Sequence, residues 1–339
     1  MAKVQTAMTC IMLAAVAAPA SPCAGAGLPE LREFEFHGLE RPVHYFAERP
    51  VEEGCGCEVA AVIVHGWGDG ASSKPLELDS FRRKAAELLG EGAQLPYVVG
   101  PLFPRRETMK RHGTPMDGRA IWNESWSKNL AKRGSPHDDW RGGGDAVGTK
   151  MSSYDVIDRI LAALGDASRY PRLRRVFVSG FSAGGQFVGR YVAVGKGVVR
   201  DGVEMRYAAM APSTELRFDE NTMWHYGLRD RPRYSRGLSP AQIYANLSSR
   251  RVFRACGTAD CKTGGALDIC PEAAAQGDNR YDRFLGFQRY LESYPEWRRM
   301  VTFHSFSGMA HEWFRAYEQE ALVRYALWMD KPESRQKAE

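Results

Sequence analysis

The sequence predicts an α/β protein: a mostly parallel central sheet with helices on both faces, and loop insertions that form a small lid. Three observations lead there. Apolar runs of strand length alternate along the chain with segments of helical periodicity. Most of these runs are apolar throughout, as strands covered on both faces must be. One run leads without a break through Gly180-Phe181-Ser182-Ala183-Gly184 into a helical pattern.

Val43 to Phe46 alternates and reads as an edge strand. Val59 to Val64 is a continuous apolar strand ending in His65-Gly66-Trp67-Gly68. Phe81 to Leu89 reads as a helix with Asp79-Ser80 as capping candidate, and Tyr97 to Val99 as a short strand. Residues 104–150 are rich in glycine, proline and charge and form a first insertion. Ser152 to Asp155 opens an amphipathic helix whose Val156, Ile157, Ile160, Leu161 and Leu164 share a face. Arg175 to Ser179 is a strand, Gln186 to Val194 a helix and Met205 to Met210 a strand. Residues 212–250, with many aromatics and arginines, form a second insertion expected to roof the site. Its Trp224, Tyr226 and Tyr234 either line a pocket or pack as core. Val252 to Ala255 is a strand, Asp282 to Tyr294 a helix and Met300 to Phe303 a strand; Glu312 to Trp328 reads as one closing helix. No linker divides the chain, so residues 27–332 are expected to form a single domain.

The chain is 44% hydrophobic, which supplies a sizeable core. A net charge of +5 is too mild to imply a nucleic-acid partner. The densest cationic run (Arg229, Arg231, Arg233, Arg236) lacks the spacing of a groove-reading helix. Lys3 precedes an uncharged stretch from Ala7 to Ala20 that closes on Ala18-Pro19-Ala20. Residues 1–20 therefore read as a secretory signal peptide, with cleavage as late as residue 26, and the destination as extracellular or periplasmic. No run is long enough for a stable membrane span. Of seven cysteines, cleavage after Ala20 removes Cys10 and leaves an even number, as suits disulfides. A Cys261–Cys270 bridge is expected. Cys55-Gly56-Cys57 has the wrong spacing for zinc. The oligomeric state is not legible.

Serine is a poor nucleophile at neutral pH; it needs a base, a group to orient that base, and donors for the developing oxyanion. Gly180, Ala183, Gly184 and Gly185 are small enough for a tight strand–turn–helix elbow that projects Ser182 above the sheet edge. With this elbow in place, the chain from about residue 43 onward resembles the α/β-hydrolases. Ser-Ala-Gly-Gly-Gln followed by Arg190-Tyr191 is similar to secreted hydrolases related to esterases and polyester depolymerases.

The resemblance implies the chain order serine, acid, histidine. Asp260 follows the strand Arg251–Cys256 and matches the acid, with Asp219, Asp268 and Asp282 as rivals. His311, in the loop after the last strand, matches the base, with His304 as rival. His311-Glu312 also begins a zinc-protease helix pattern, but Arg315 stands where a second histidine is required. The oxyanion donors are expected to be the amides of Ala183 and, by analogy with the family, Trp67. The expected activity is hydrolysis of a carboxylic ester through a Ser-His-Asp acyl-enzyme, on a small-molecule or polymeric ester, with no cofactor or metal. The alternatives are a serine peptidase on the same fold and a non-catalytic binding protein.

Overall fold

The computed structural model describes residues 28–67, 76–111, 118–123 and 139–330. The expected signal segment and parts of the first insertion lie outside these residues.

In chain order the elements are β1 (Arg32–Phe36), β2 (Val43–Ala47), β3 (Val59–Val64), α1 (Leu76–Leu89), β4 (Tyr97–Pro101), α2 (Arg106–Arg111), α3 (Ser153–Leu164), β5 (Arg175–Phe181), α4 (Ala183–Val194) and β6 (Glu204–Met210). There follow α5 (Pro240–Ser249), β7 (Arg251–Gly257), α6 (Pro271–Ala274), α7 (Arg280–Tyr290), α8 (Pro295–Arg298), β8 (Val301–Phe306), α9 (Trp313–Ala316) and α10 (Glu320–Ala326). The strands form one open sheet in the order β1-β2-β4-β3-β5-β6-β7-β8. β1 and β2 are antiparallel to their neighbours, and from β4 to β8 every pairing is parallel.

The apolar strands serve two cores, one on each face. Ala60, Val62, Val64, Val176 and Val178 point toward α3, α4 and α5. Ala61, Ile63, Phe177 and Phe181 point the other way, toward α1 and α10. Side chains alternate across a strand, so burial on both faces requires unbroken apolar runs.

Several boundaries depart from the sequence expectation. β2 is not an edge; β1 pairs outside it over five residues. Helix α1 starts at Leu76, so Asp79 and Ser80 lie within it, where Glu77 and Asp79 favour the positive end of the helix dipole. Near its end the second insertion forms α5, opened by a capping box between Ser239 and Gln242 with Pro240 in the first turn. The closing segment is two helices. The break at Tyr317–Gln319 lets Tyr317 bury against Ser179, while α9 and α10 both pack on α1.

The disulfide expectation is also corrected. Cys55 and Cys57 are bridged, with Cα atoms 5.3 Å apart. Cys261 carries no bridge: its thiol is exposed in the loop after β7, whereas Cys270 is buried against Tyr226 and Ala273. Among the described residues no helix is long and apolar enough to cross a membrane.

Candidate active site

β5 delivers Ser182 at its carboxyl end, and α4 begins at the next residue. Ser182 has φ 57° and ψ −112°, a conformation that L-residues rarely adopt. Its N–H donates to the Met210 carbonyl at 2.9 Å, which pins the turn to β6. The surrounding glycines are sterically required. A Cβ on Gly180 would lie 2.3 Å from the Gly184 carbonyl, one on Gly184 2.3 Å from the Val64 oxygen, and one on Gly185 2.4 Å from the Met210 oxygen.

Two loops at the carboxyl ends of β7 and β8 converge on this elbow. They are tied together: Thr258 N–H donates to Phe306 O, Ala259 N–H to Met309 O, and Gly308 N–H to Thr258 Oγ1. Gly257 permits the approach, since a Cβ there would lie 2.1 Å from the Met309 oxygen. The first loop carries Asp260 and the second carries His311.

Ser182 Oγ lies 2.9 Å from His311 Nε2, and His311 Nδ1 lies 2.6 Å from Asp260 Oδ2. An ionised carboxylate only accepts, so Nδ1 carries the proton; Nε2 is then the acceptor and Ser182 the donor. The Asp260 side chain is fully buried, whereas that of His311 is 25% exposed. Burial lowers the His311 pKa, Asp260 acts to raise it, and Arg280 acts to lower it. Phe181 packs its ring 4.7 Å from the imidazole.

The rival residues do other work. His304 lies on β8 and stacks on Phe253. Asp219 caps the turn at Asn221 and Thr222, Asp268 accepts from Tyr226, and Asp282 exchanges hydrogen bonds with Asn279 at the start of α7.

Ala183 is the first residue of α4, where a backbone N–H has no partner within the helix. The loop after β3 lies against the elbow. Gly184 abuts the Val64 and His65 carbonyls, and a Cβ on Gly66 would sit 3.6 Å from the Phe181 oxygen. Trp67 follows, with its side chain 49% exposed and the Arg105 guanidinium over its ring.

Two residues without an assigned role in the sequence reading support this arrangement. His65 is buried; its Nδ1–H donates to Gly66 O at 2.7 Å and its Nε2 accepts from Phe103 N–H at 3.0 Å. Those partners force the neutral imidazole, and burial pushes its pKa down to about 4. A histidine between an apolar strand and Gly-x-Gly was the available signal. Arg280 lies behind Asp260, with Nη1 3.8 Å from Oδ1; no local pattern marked it.

The second insertion is clamped to α4 rather than loosely draped. Arg190 donates to the His225 carbonyl and to Thr214 Oγ1, and Gln186 donates to the same Thr214 hydroxyl. Trp224 and Tyr226 are buried, with their polar atoms on Gly142 O and Asp268; Tyr234 reaches Asp158 on α3. Trp224 and Tyr226 therefore pack as core, and half-buried Tyr234 packs against it.

Two solved structures share this architecture. Poly(aspartic acid) hydrolase-1 from Sphingomonas sp. KT-1 superposes with a TM-score of 0.60 at 19% identity, covering 88% of this chain and 99% of that one. LpqC, a poly(3-hydroxybutyrate) depolymerase from Bordetella parapertussis, superposes with a TM-score of 0.60 at 17% identity, covering 91% of this chain and 92% of that one. No protein-family model and no curated protein matches the sequence. The likeness is one of fold, and the fold is that of the α/β-hydrolases.

Proposed function

We propose that this α/β-hydrolase-fold chain is an exported serine hydrolase that cleaves carboxylic esters through an acyl-enzyme. The observation that carries the reading is the relay from Ser182 through His311 to a fully buried Asp260, with spacings of 2.9 and 2.6 Å. In it, His311 Nε2 takes the Ser182 proton as Oγ attacks the acyl carbon. Asp260 holds the Nδ1–H tautomer and stabilises the imidazolium. The amides of Ala183 and Trp67 face the developing oxyanion. The imidazolium then protonates the leaving alcohol, and the neutral imidazole activates the water that releases the acid.

The name of one structural neighbour, a poly(3-hydroxybutyrate) depolymerase, supports including polymeric esters among the substrates; the other is named a hydrolase of poly(aspartic acid), a polymer joined by amide bonds. The basic, then apolar, amino-terminal stretch and the Cys55–Cys57 bridge support export to an oxidising compartment.

A fluorophosphonate probe should label the wild type and leave Ser182→Ala unlabelled. Folded wild-type protein that takes up no probe removes the catalytic reading. Turnover of p-nitrophenyl esters without turnover of the matching amides favours an esterase; the reverse ranking replaces it with a peptidase.

A further inference from the structure

We propose that Arg280 is a positioning residue of this site: its buried guanidinium is the counter-charge behind Asp260 and, through it, tunes His311 as a base. The inference rests on the serine hydrolase reading above.

Arg280 is the first residue of α7. Asn279 caps the helix, its side chain accepting from the Asp282 N–H, and the Tyr281 N–H donates to the Asp260 carbonyl at 3.3 Å. The helix end and the acid loop are thus one unit. The Arg280 side chain is 4% exposed, and Nη1 stands 3.8 Å from Asp260 Oδ1, the oxygen that His311 leaves unengaged. That separation is too long for a hydrogen bond but within the range of an ion pair.

A carboxylate taken wholly out of water costs several kcal/mol unless a charge opposes it. A neutral imidazole supplies one hydrogen bond and no charge. Arg280 supplies the charge, and a guanidinium keeps its proton under burial far better than an ammonium does. The same cation repels a proton on His311.

Among the described residues, Ser182 beside the ring is neutral, and burial raises the nearby Cys256 thiol so that it stays protonated. Glu312 and Arg315 pair with each other in solvent at 2.9 Å. Burial is the largest influence on the ring; the charges that act on it are Asp260 and Arg280, in opposite directions. Without Arg280, Asp260 alone would draw a proton onto the imidazole, and His311 would be a base only at higher pH.

The test is the pH dependence of kcat/KM on a p-nitrophenyl ester for wild type, Arg280→Met and Arg280→Lys. In R280M the acid limb should move up by about 0.5 unit or more. In R280K, which keeps a cation, it should stay within about 0.2 unit of wild type. An R280M limb that coincides with wild type overturns the proposal, as does an equal loss at every pH in both variants. If R280M does not fold, Arg280→Gln takes its place: an acid limb moved up relative to wild type supports the proposal, and one that coincides with wild type overturns it. Probe labelling of Ser182 separates the two failures. A labelled, active wild type with an unmoved R280M limb sinks this inference alone, whereas an unlabelled wild type sinks the hydrolase reading.

Discussion

Ser182 joins the hydroxyl proposed as nucleophile to a backbone conformation that an L-residue resists, and substitution can separate the two. Such strain costs about 1–3 kcal/mol, while glycine costs about 0.5–1 kcal/mol through the unfolded chain. The strain is the larger of the two. Ser182→Gly should therefore be more stable than Ser182→Ala by about 1 kcal/mol in urea unfolding, with both inactive. An S182G variant less stable than S182A would show that the elbow is not strained. The same residues show what a local pattern can carry. Ser182, Asp260 and His311 could be named as candidates because each follows a strand visible as an apolar run, at a place the α/β-hydrolase resemblance implies, and the structure brings the three together. Arg280 could not be, because its role lies in the carboxylate it faces 20 residues earlier in the chain, and nothing local distinguishes it from a surface arginine at a helix start.

At the scale of elements, the elbow works only if β3, β5 and α4 approach to backbone contact. Gly184 is the point of closest approach, beneath the Val64 and His65 carbonyls. A methyl group there meets backbone, which cannot swing aside, so Gly184→Ala must push the loop after β3 away from the nucleophile. We expect kcat to fall by about 10²–10³, the loss typical of one missing oxyanion donor, with KM for a small ester changing little. Wild-type kcat in G184A would mean that the loop after β3 supplies no donor. The elements themselves were read well where one periodicity dominated, as in β3, α3 and β5. They were misread where tertiary packing chose the boundary. Aromatics and arginines disguised α5 as loop, although Ser239 and Gln242 were its capping box. The closing helix was expected to run through Tyr317, and the advantage of burying that ring against Ser179 broke it.

For the molecule as a whole, the sheet separates two apolar cores, and the polar groups inside them govern the response to pH. His65 is kept neutral in the folded state down to about pH 4. In the unfolded chain it takes up a proton near its ordinary value, so between these limits the unfolded state binds more protons. Stability is therefore fully present above about pH 6.5 and falls as pH drops toward 4, by about 3 kcal/mol from this residue. His304 and His311, also lowered by burial, add in the same direction. His65→Gln removes the largest contribution, so its stability deficit relative to wild type should shrink by about 3 kcal/mol between pH 7 and pH 4. A deficit that does not change with pH would mean that His65 does not titrate on unfolding.

By itself the sequence determined the layers, the parallel sheet and the elbow around Ser182, because these follow from local periodicity and from glycines that only tight turns require; the order of acid and histidine after it came from the resemblance to the α/β-hydrolases. Only the tertiary structure decided the rest. It brought Asp260 and none of the rival aspartates against His311, bridged Cys55 to Cys57, buried Trp224 and Tyr226 of the second insertion, and set Arg280 behind Asp260. Each of these depends on which groups meet after long stretches of intervening chain. Such meetings are selected by packing and by the cost of burying charge, and neither leaves a mark within a window of a few residues.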